Sequence, residues 1–250
     1  MNFVRLRAVV FVLLLAVAFS CDKDDPTPPY VINGSVKPVD FLTDSKYTTL
    51  NVEVAYVEGF QPQPSALNVL MTFLQERLNK SGGITITQRS IPATGRVSVD
   101  VDFIRAIEKG NRKTVTSGST LTAWIMFLDA EYSASNDKEK VLGLAYGASS
   151  VVVFEQSVHN ITRPDMPARG ALETFILTHE AGHILGLVNN GAPMKSLHQD
   201  TEHGAHCTNT KCLMYWEAQD NLNLTDLLGE NKVPSLDDAC LADLKAAGGK

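Results

Sequence analysis

Two histidines and a glutamate fall within five consecutive residues of this 250-residue chain, at His179, Glu180 and His183. Side chains four residues apart on an α-helix project from one face, so both imidazoles can reach the same ion. Imidazole nitrogens bind Zn²⁺ at about 2.0–2.1 Å. The Glu180 carboxylate can take a proton from a water that the metal activates and pass it to a leaving amine. The H-E-x-x-H spacing therefore predicts a site for metal-assisted hydrolysis.

The residues around this motif predict a buried helix from about 171 to 187. Phe175, Ile176 and Leu177 precede the first histidine, and Ile184 and Leu185 follow the second. Buried histidines and a buried glutamate are costly unless something satisfies them, and a bound metal would do so. The alternative is an ordinary helix that carries two exposed or core histidines.

Gly186 extends the pattern beyond the helix. The run His179-Glu180-x-x-His183-x-x-Gly186 resembles the first part of the metzincin signature, H-E-x-x-H-x-x-G-x-x-H. In that signature the glycine lets the helix end and the chain turn, so that a third histidine returns to the metal. Here the third position, residue 189, is Asn, and a neutral amide is a poor zinc ligand beside imidazole.

A third ligand must therefore come from further along the chain. His206-Cys207, followed by Cys212 and Met214, resembles the archaemetzincin continuation, in which the third histidine directly precedes a cysteine. This resemblance implies that His206 is the third ligand, seventeen residues later than position 189, and that Met214 forms the Met-turn under the metal. The alternatives left open are His203, His198, Asn189 and Asp200.

These motifs together resemble metzincin-type zinc proteases, closest to archaemetzincins and to the Bacteroidetes lipoprotein "membrane metalloprotease" group. The resemblance implies an α+β zincin fold: a twisted mixed sheet, a backing helix, an active-site helix and an irregular C-terminal lobe with a Met-turn. It also implies that the segment from Gly143 to Val153 lines the cleft and pairs with substrate as an added strand. Tyr215 is a candidate oxyanion donor, although in the metzincins that use such a tyrosine it stands two residues after the methionine, where this chain has Trp216.

The cysteines allow two interpretations. Cys207 and Cys212 are five residues apart, and in an exported protein this spacing predicts a disulfide. Archaemetzincins instead use four cysteines for a structural zinc. In this chain Cys240 can contribute, and Asp237 stands where the fourth cysteine would be expected. A second zinc site and a free, buried Cys240 are the two alternatives to the disulfide.

The N-terminus predicts export. Arg5 and Arg7 precede a run of twelve apolar residues, Ala8 to Phe19, which would span about 18 Å as a helix and is too short for a bilayer of about 30 Å. The segment 18–21 resembles a bacterial lipoprotein signal, which implies lipidation of Cys21; the alternative is ordinary secretion. An acidic, proline-rich stretch follows and resembles a surface-export signal. We therefore expect an exported protein anchored by lipid at the bacterial cell envelope, at the outer membrane or cell surface.

Composition and charge narrow the function. The net charge of −6 argues against nucleic acid as a partner, because a protein that neutralises many phosphates should be basic.

The predicted division of the chain is a signal peptide at 1–20, a tether and entry loop at 21–46, an N-terminal zincin subdomain at 47–190 and a C-terminal subdomain at 191–250. Strands are predicted at 48–57, 84–91 and 121–128, with a strand or hairpin at 142–154. Helices are predicted from Ser65, as N-cap, to about 80, and at 100–109, 171–187 and 236–247.

The sequence thus predicts a zinc peptidase that acts on peptides or proteins, with one catalytic zinc. Asn189 and the seventeen-residue insertion motivate one alternative, an inactive surface binding module on the same fold. A zinc-binding lipoprotein without turnover is a further alternative.

Overall fold

A computed structural model describes residues 36–136, 140–162, 168–216 and 233–250. Five strands form the main sheet, in the order β2-β1-β4-β7-β6. The pairs β1–β2, β1–β4 and β4–β7 are parallel, and β6 pairs antiparallel with β7. The strands are β1 (Thr49–Val57), β2 (Gly83–Ile91), β4 (Thr120–Phe127), β6 (Gly143–Gly147) and β7 (Ser150–Val153). This mixed sheet with packed helices confirms the predicted α+β class.

Apolar patterning places the strands correctly. The three predicted strands agree with β1, β2 and β4 to within one residue at each end. All but the first residue of β4 are buried, because parallel strands inside a sheet are covered on both faces and read as continuous apolar runs. The ambiguous segment 142–154 is a hairpin in which β6 lies at the sheet edge and β7 lies between β4 and β6.

Six helices accompany the sheet in the described residues. They are α1 (Pro38–Leu42), α2 (Pro64–Arg77), α3 (Val101–Asn111), α4 (Glu155–Ile161), α5 (Ala168–Ile184) and α6 (Asp238–Ala246). The predicted N-cap of α2 is wrong: Gln63 is the N-cap, because Pro64 occupies the first turn, where its missing N–H is not needed. The helix α5 begins and ends about three residues earlier than predicted. The sequence reading did not identify α1 or α4.

Two short pairings complete the described structure. Strand β3 (Ser98–Val99) pairs parallel with β5 (Glu131–Tyr132). Strands β8 (Gln199–Asp200) and β9 (His206–Cys207) pair antiparallel, within the segment that had been expected to contain little regular structure.

The larger apolar core lies on the sheet face that α2 and α5 cover. Leu50 of β1, Leu70 of α2 and Phe175 of α5 are among its fully buried members. A smaller cluster includes Trp124 of β4 and Ile104 of α3. The helix α5 is therefore held firmly between α2 and the sheet.

A buried ionisable cluster joins α4 to α5. Glu155 and Glu173 are both fully buried, with Arg169 Nε 3.5 Å and His159 Nε2 3.2 Å from Glu155 Oε1. Burial raises the pKa of each carboxyl group to about 8, and the neighbouring Glu155 adds to the shift at Glu173. His159 is partly buried and stacked on Phe60.

Among the described residues, no helix is both long enough and apolar enough to cross a membrane. The predicted export signal and the lipidation site Cys21 lie outside the described residues. Both stay predictions, as does the division into subdomains.

Candidate metal centre

The helix α5 carries the predicted motif on a buried surface. Twelve of its seventeen residues are buried, including His179 and Glu180. The nitrogen atoms of His179, His183 and His206 all lie within 4.8 Å of one another. The Nε2 atoms of His179 and His183 are 3.1 Å apart. Two nitrogens at that separation can both lie about 2.0–2.1 Å from one ion, which is the zinc–imidazole distance.

Backbone carbonyls orient two of the three rings. His179 Nδ1 lies 2.8 Å from the carbonyl oxygen of Leu213, and His206 Nδ1 lies 2.5 Å from that of His203. An Nδ1–H that donates to a carbonyl leaves the Nε2 lone pair for a metal. Zinc-binding histidines usually donate their other ring N–H in this way, so the donor set fits a Zn²⁺ site with an open fourth position.

The rings are also held in the uncharged form that a metal needs. Burial, followed by the nearby His206, lowers the pKa of His179 to about 3. Burial, followed by the two neighbouring imidazoles, also lowers the pKa of His183 well below its usual value. Neutral imidazoles bind metal without first releasing protons.

Met214 packs beneath the centre, against the backbone of α5 at Gly182. A Cβ atom at Gly182 would stand 2.4 Å from Met214 Sδ, so only glycine leaves room for the sulfur. Met214 is fully buried, and its carbonyl accepts a hydrogen bond from the N–H of Cys207 at 2.7 Å. Gly182 lies inside the H-E-x-x-H motif, but the sequence alone did not indicate that this position must be glycine.

The turn after α5 forms as the motif predicts. Gly186 has φ +83°, and a Cβ there would stand 2.6 Å from the backbone N of Ala192. Val188 and Asn189 also have positive φ, at 52° and 62°, a conformation that disfavours β-branched residues most. The Asn189 side chain donates to Gln199 Oε1 at 3.1 Å and is not among the residues grouped at the metal centre.

The insertion returns the chain to the metal through a hairpin. Residues Asp200 and His206 pair across β8 and β9, and this pairing places His206 beside α5. His203 instead bonds Asp200 Oδ2 through Nδ1 at 2.7 Å and stacks on Trp216, with ring centroids 3.8 Å apart. Tyr215 is partly buried, with its ring centroid 6.0 Å from that of Trp216.

Glu180 lies against the edge strand β6. A Cβ on Gly143 would stand 2.9 Å from Glu180 Oε1 and 2.5 Å from Ile176 Cγ2. The absence of a side chain at Gly143 therefore makes room for the carboxylate at the start of the strand. Within the described residues, β6 is the part of the segment 143–153 that has an unpaired sheet edge, because β7 pairs with β4 and β6 on its two sides.

A second group of donor atoms lies next to Met214. It consists of Cys207, Cys212, Asp237 and Cys240, whose donor atoms lie within 4.8 Å of one another. The three thiols are buried, and Cys212 Sγ is 3.6 Å from Cys240 Sγ. A hydrogen bond from Cys240 lowers the pKa of Cys212 to about 7. Three sulfurs and a further donor fit a structural zinc site.

The predicted disulfide between Cys207 and Cys212 is not present, since all three described cysteines are free thiols. Cys212 lies near Cys240 because α6 carries Cys240 to within 3.6 Å of the Cys212 sulfur. His198, one of the alternatives for the third catalytic ligand, is not at that centre either. It is buried beside Cys207, with Nδ1 3.4 Å from the sulfur.

Comparison with known proteins identifies the fold. No protein-family profile matches the chain, and no curated protein matches it. An archaemetzincin from Methanopyrus kandleri superposes with a TM-score of 0.51 at 17% identity, over 80% of this chain and 96% of that one. The chain therefore has the archaemetzincin fold, in agreement with the motif resemblance.

Two further solved structures are similar. A zinc-dependent peptidase from Methanocorpusculum labreanum has a TM-score of 0.46 at 16% identity, with 77% of this chain and 99% of that chain covered. Metalloproteinase-II from Bacteroides fragilis has a TM-score of 0.44 at 14% identity, with 82% of this chain and 56% of that chain covered.

Proposed function

We propose that this protein is a zinc-dependent peptidase whose metal is held by His179, His183 and His206. The observation that carries the proposal is the convergence of three imidazoles within 4.8 Å, beside a buried glutamate on the same helix. Three neutral protein ligands and an open fourth position are typical of catalytic zinc sites, whereas structural zinc sites use four protein ligands. The archaemetzincin fold supports the same proposal.

A bound zinc supplies a Lewis acid that makes water acidic enough to be deprotonated near neutral pH. Glu180 would accept that proton and then deliver it to the leaving amine. Its carboxylate follows His179 directly in the helix and is only 1% exposed, so bulk water competes little for it. Two groups position the residues around it: the Leu213 carbonyl orients His179, and the bare backbone of Gly143 leaves space for the carboxylate.

The proposed substrate is a peptide or protein bound in an extended conformation along β6. This strand is an edge of the sheet and begins at Gly143, next to Glu180. An extended peptide that adds a strand to such an edge gains main-chain hydrogen bonds without needing a particular side chain. It would also bring successive peptide bonds past the metal.

The decisive experiment is Glu180→Gln. The amide keeps the size of the side chain but cannot accept the proton, so we expect peptide hydrolysis to fall by about 10²–10⁴-fold. Zinc content should stay at the wild-type value, because Glu180 is not proposed as a ligand. Glu76→Gln is the matched control, since Glu76 is an exposed acid on α2. Wild-type activity in the Glu180 variant would refute the mechanism.

We also propose that a second zinc occupies the cluster next to Met214, and that the mature protein is attached to the cell envelope through lipid on Cys21. The cysteine cluster supports the first proposal. The second rests on the sequence pattern around Cys21 alone. Metabolic labelling with a fatty acid tests it: wild-type protein should incorporate label, and Cys21→Ser should not.

A further inference from the structure

His198 lies in the insertion between the metzincin-like glycine and the third histidine, and it is buried against the second cluster. Its Nδ1 atom is 3.4 Å from Cys207 Sγ and 4.0 Å from Cys240 Sγ. A tetrahedral zinc with ordinary bond lengths holds a sulfur and a nitrogen ligand about 3.5 Å apart. The imidazole nitrogen therefore stands at ligand spacing from Cys207 Sγ and about half an ångström beyond that spacing from Cys240 Sγ.

The second ring nitrogen of His198 fixes the tautomer. His198 Nε2 is 2.8 Å from Asp243 Oδ2, and Asp243 is fully buried on α6. The carboxylate can only accept, so Nε2 carries the proton and the Nδ1 lone pair points at the cysteines. A carboxylate that receives the second N–H is the usual support of a zinc-binding histidine.

Asp237, the competing donor, has other partners. Its Oδ1 accepts the N–H of Cys240 as the N-cap of α6, and its Oδ2 accepts hydrogen bonds from Asn209 Nδ2 at 2.9 Å and from the Cys207 thiol at 3.5 Å. A set of three thiolates and one imidazole also carries one negative charge fewer than three thiolates and a carboxylate. In a buried site the smaller charge is the less costly one.

We infer that the second metal site is a Cys₃His site, in which Cys207, Cys212 and Cys240 are joined by His198 of the insertion, while Asp237 caps α6. The inference rests on the second zinc proposed above and is independent of the peptidase reaction. A thiol, imidazole and carboxylate in this order would also suit a cysteine nucleophile, but Cys207 is fully buried and no substrate can reach it.

The consequence is structural. His198 directly precedes β8, whose partner β9 contains His206 and Cys207. A metal bound by His198 and Cys207 would clamp the two strands of this hairpin together at the end nearest the cysteines. The insertion would thus be fastened to the body of the protein at the point where it delivers His206.

The test compares His198→Asn with Asp237→Asn in the full chain. Asparagine places an amide where Nδ1 stood and is a poor zinc ligand, and at position 237 it still caps a helix. Cobalt titration, monitored through the thiolate-to-cobalt charge-transfer absorption, reports only the sulfur site. Metal analysis measures the number of zinc ions per chain. We expect His198→Asn to weaken the sulfur site by at least about 100-fold and Asp237→Asn by less than about tenfold.

Two further variants complete the design. Leu197→Ala, the matched control, shortens an exposed side chain of the same insertion directly beside His198 and should retain both metals. His198→Cys should restore tight binding with stronger charge-transfer absorption, which keeps the test decisive if the asparagine variant fails to fold.

A loss in Asp237→Asn that equals or exceeds the loss in His198→Asn would overturn the inference. A folded His198→Cys protein with an unchanged cobalt spectrum would do the same. Absence of any thiolate–cobalt absorption in the wild type would also overturn it. The zinc-dependent hydrolysis at the three histidines would be unaffected by that result, so failure of the second site and failure of the proposed function are distinguishable.

Discussion

Replacing Gly143 by alanine tests whether β6 positions the proposed base. The added Cβ would stand 2.9 Å from Glu180 Oε1, 3.0 Å from Glu180 Cγ and 2.5 Å from Ile176 Cγ2. Ordinary contacts are 3.4–4 Å, so Glu180 must move by about half an ångström and Ile176 by about 1 Å, or β6 must move away from α5. A misplacement of about 1 Å at a reacting group can cost about 10²-fold in rate.

We therefore expect Gly143→Ala to lower kcat by about 10–100-fold with unchanged zinc content. Overpacking should also reduce the free energy of unfolding by about 1–3 kcal/mol. Steady-state hydrolysis of a quenched fluorescent peptide library, metal analysis and urea denaturation measure the three quantities. Gly110→Ala is the control, because a Cβ there meets nothing within 4 Å.

The double variant Gly143→Ala/Ile176→Leu separates the two contacts. Leucine has no Cγ2 branch at Cβ, so it relieves the hydrocarbon clash at nearly constant volume and leaves the contact with Glu180. Stability should recover while kcat stays low. If stability and kcat recover together, the rate loss came from general strain and the positioning argument is wrong. Wild-type kcat in the single variant would refute it directly.

Two further predictions follow from buried contacts. The folded-state pKa values of about 8 for Glu155 and Glu173 lie above the ordinary 4.5, so the folded chain binds more protons than the unfolded chain between these values. Stability should therefore fall as the pH rises from about 5 to 8, by at most about 1.4 kcal/mol per pH unit for each proton. Glu173→Gln should flatten that slope in denaturation measured across the range, and an unchanged slope would exclude the pair as its cause. Gly182→Ala should push Met214 out from under the helix and destabilise the protein by about 1–3 kcal/mol, which thermal unfolding of the metal-free protein would detect.

Local patterns predicted the parts of the molecule that local sequence controls. Alternation and apolar runs located β1, β2 and β4, and spacing alone placed His179, Glu180 and His183 on one buried helix. Gly186 predicted the turn because positive φ is a property of a single residue. The N-cap of α2 was misplaced because Pro64, just before Ser65, is the first residue of that helix, so the N-cap lies two residues earlier, at Gln63.

The remaining parts depend on contacts between distant segments. The position of His198 is set by Asp243, forty-five residues away on α6, and nothing near residue 198 indicates that contact. The approach of Cys240 to Cys212 depends on the same helix packing, so the spacing of Cys207 and Cys212 alone suggested a disulfide that does not form. The short helix α4 carries part of the buried ionisable cluster rather than an apolar stripe. Its sequence therefore lacks the apolar periodicity by which a helix is predicted.

The insertion raises the question of how a third ligand stays in place when its connection to α5 grows from three residues after Gly186 to twenty. Loop-closure entropy rises slowly with length, by about 0.6 kcal/mol per doubling, so this growth costs roughly 2 kcal/mol. A structural zinc contributes on the order of 10–16 kcal/mol. Because His206 and Cys207 are consecutive, and the Cys207 N–H bonds the carbonyl of Met214, the same short strand serves both clusters. A metal in the second cluster therefore more than offsets the entropy of the longer loop, and the length of the insertion places little constraint on the geometry at His206.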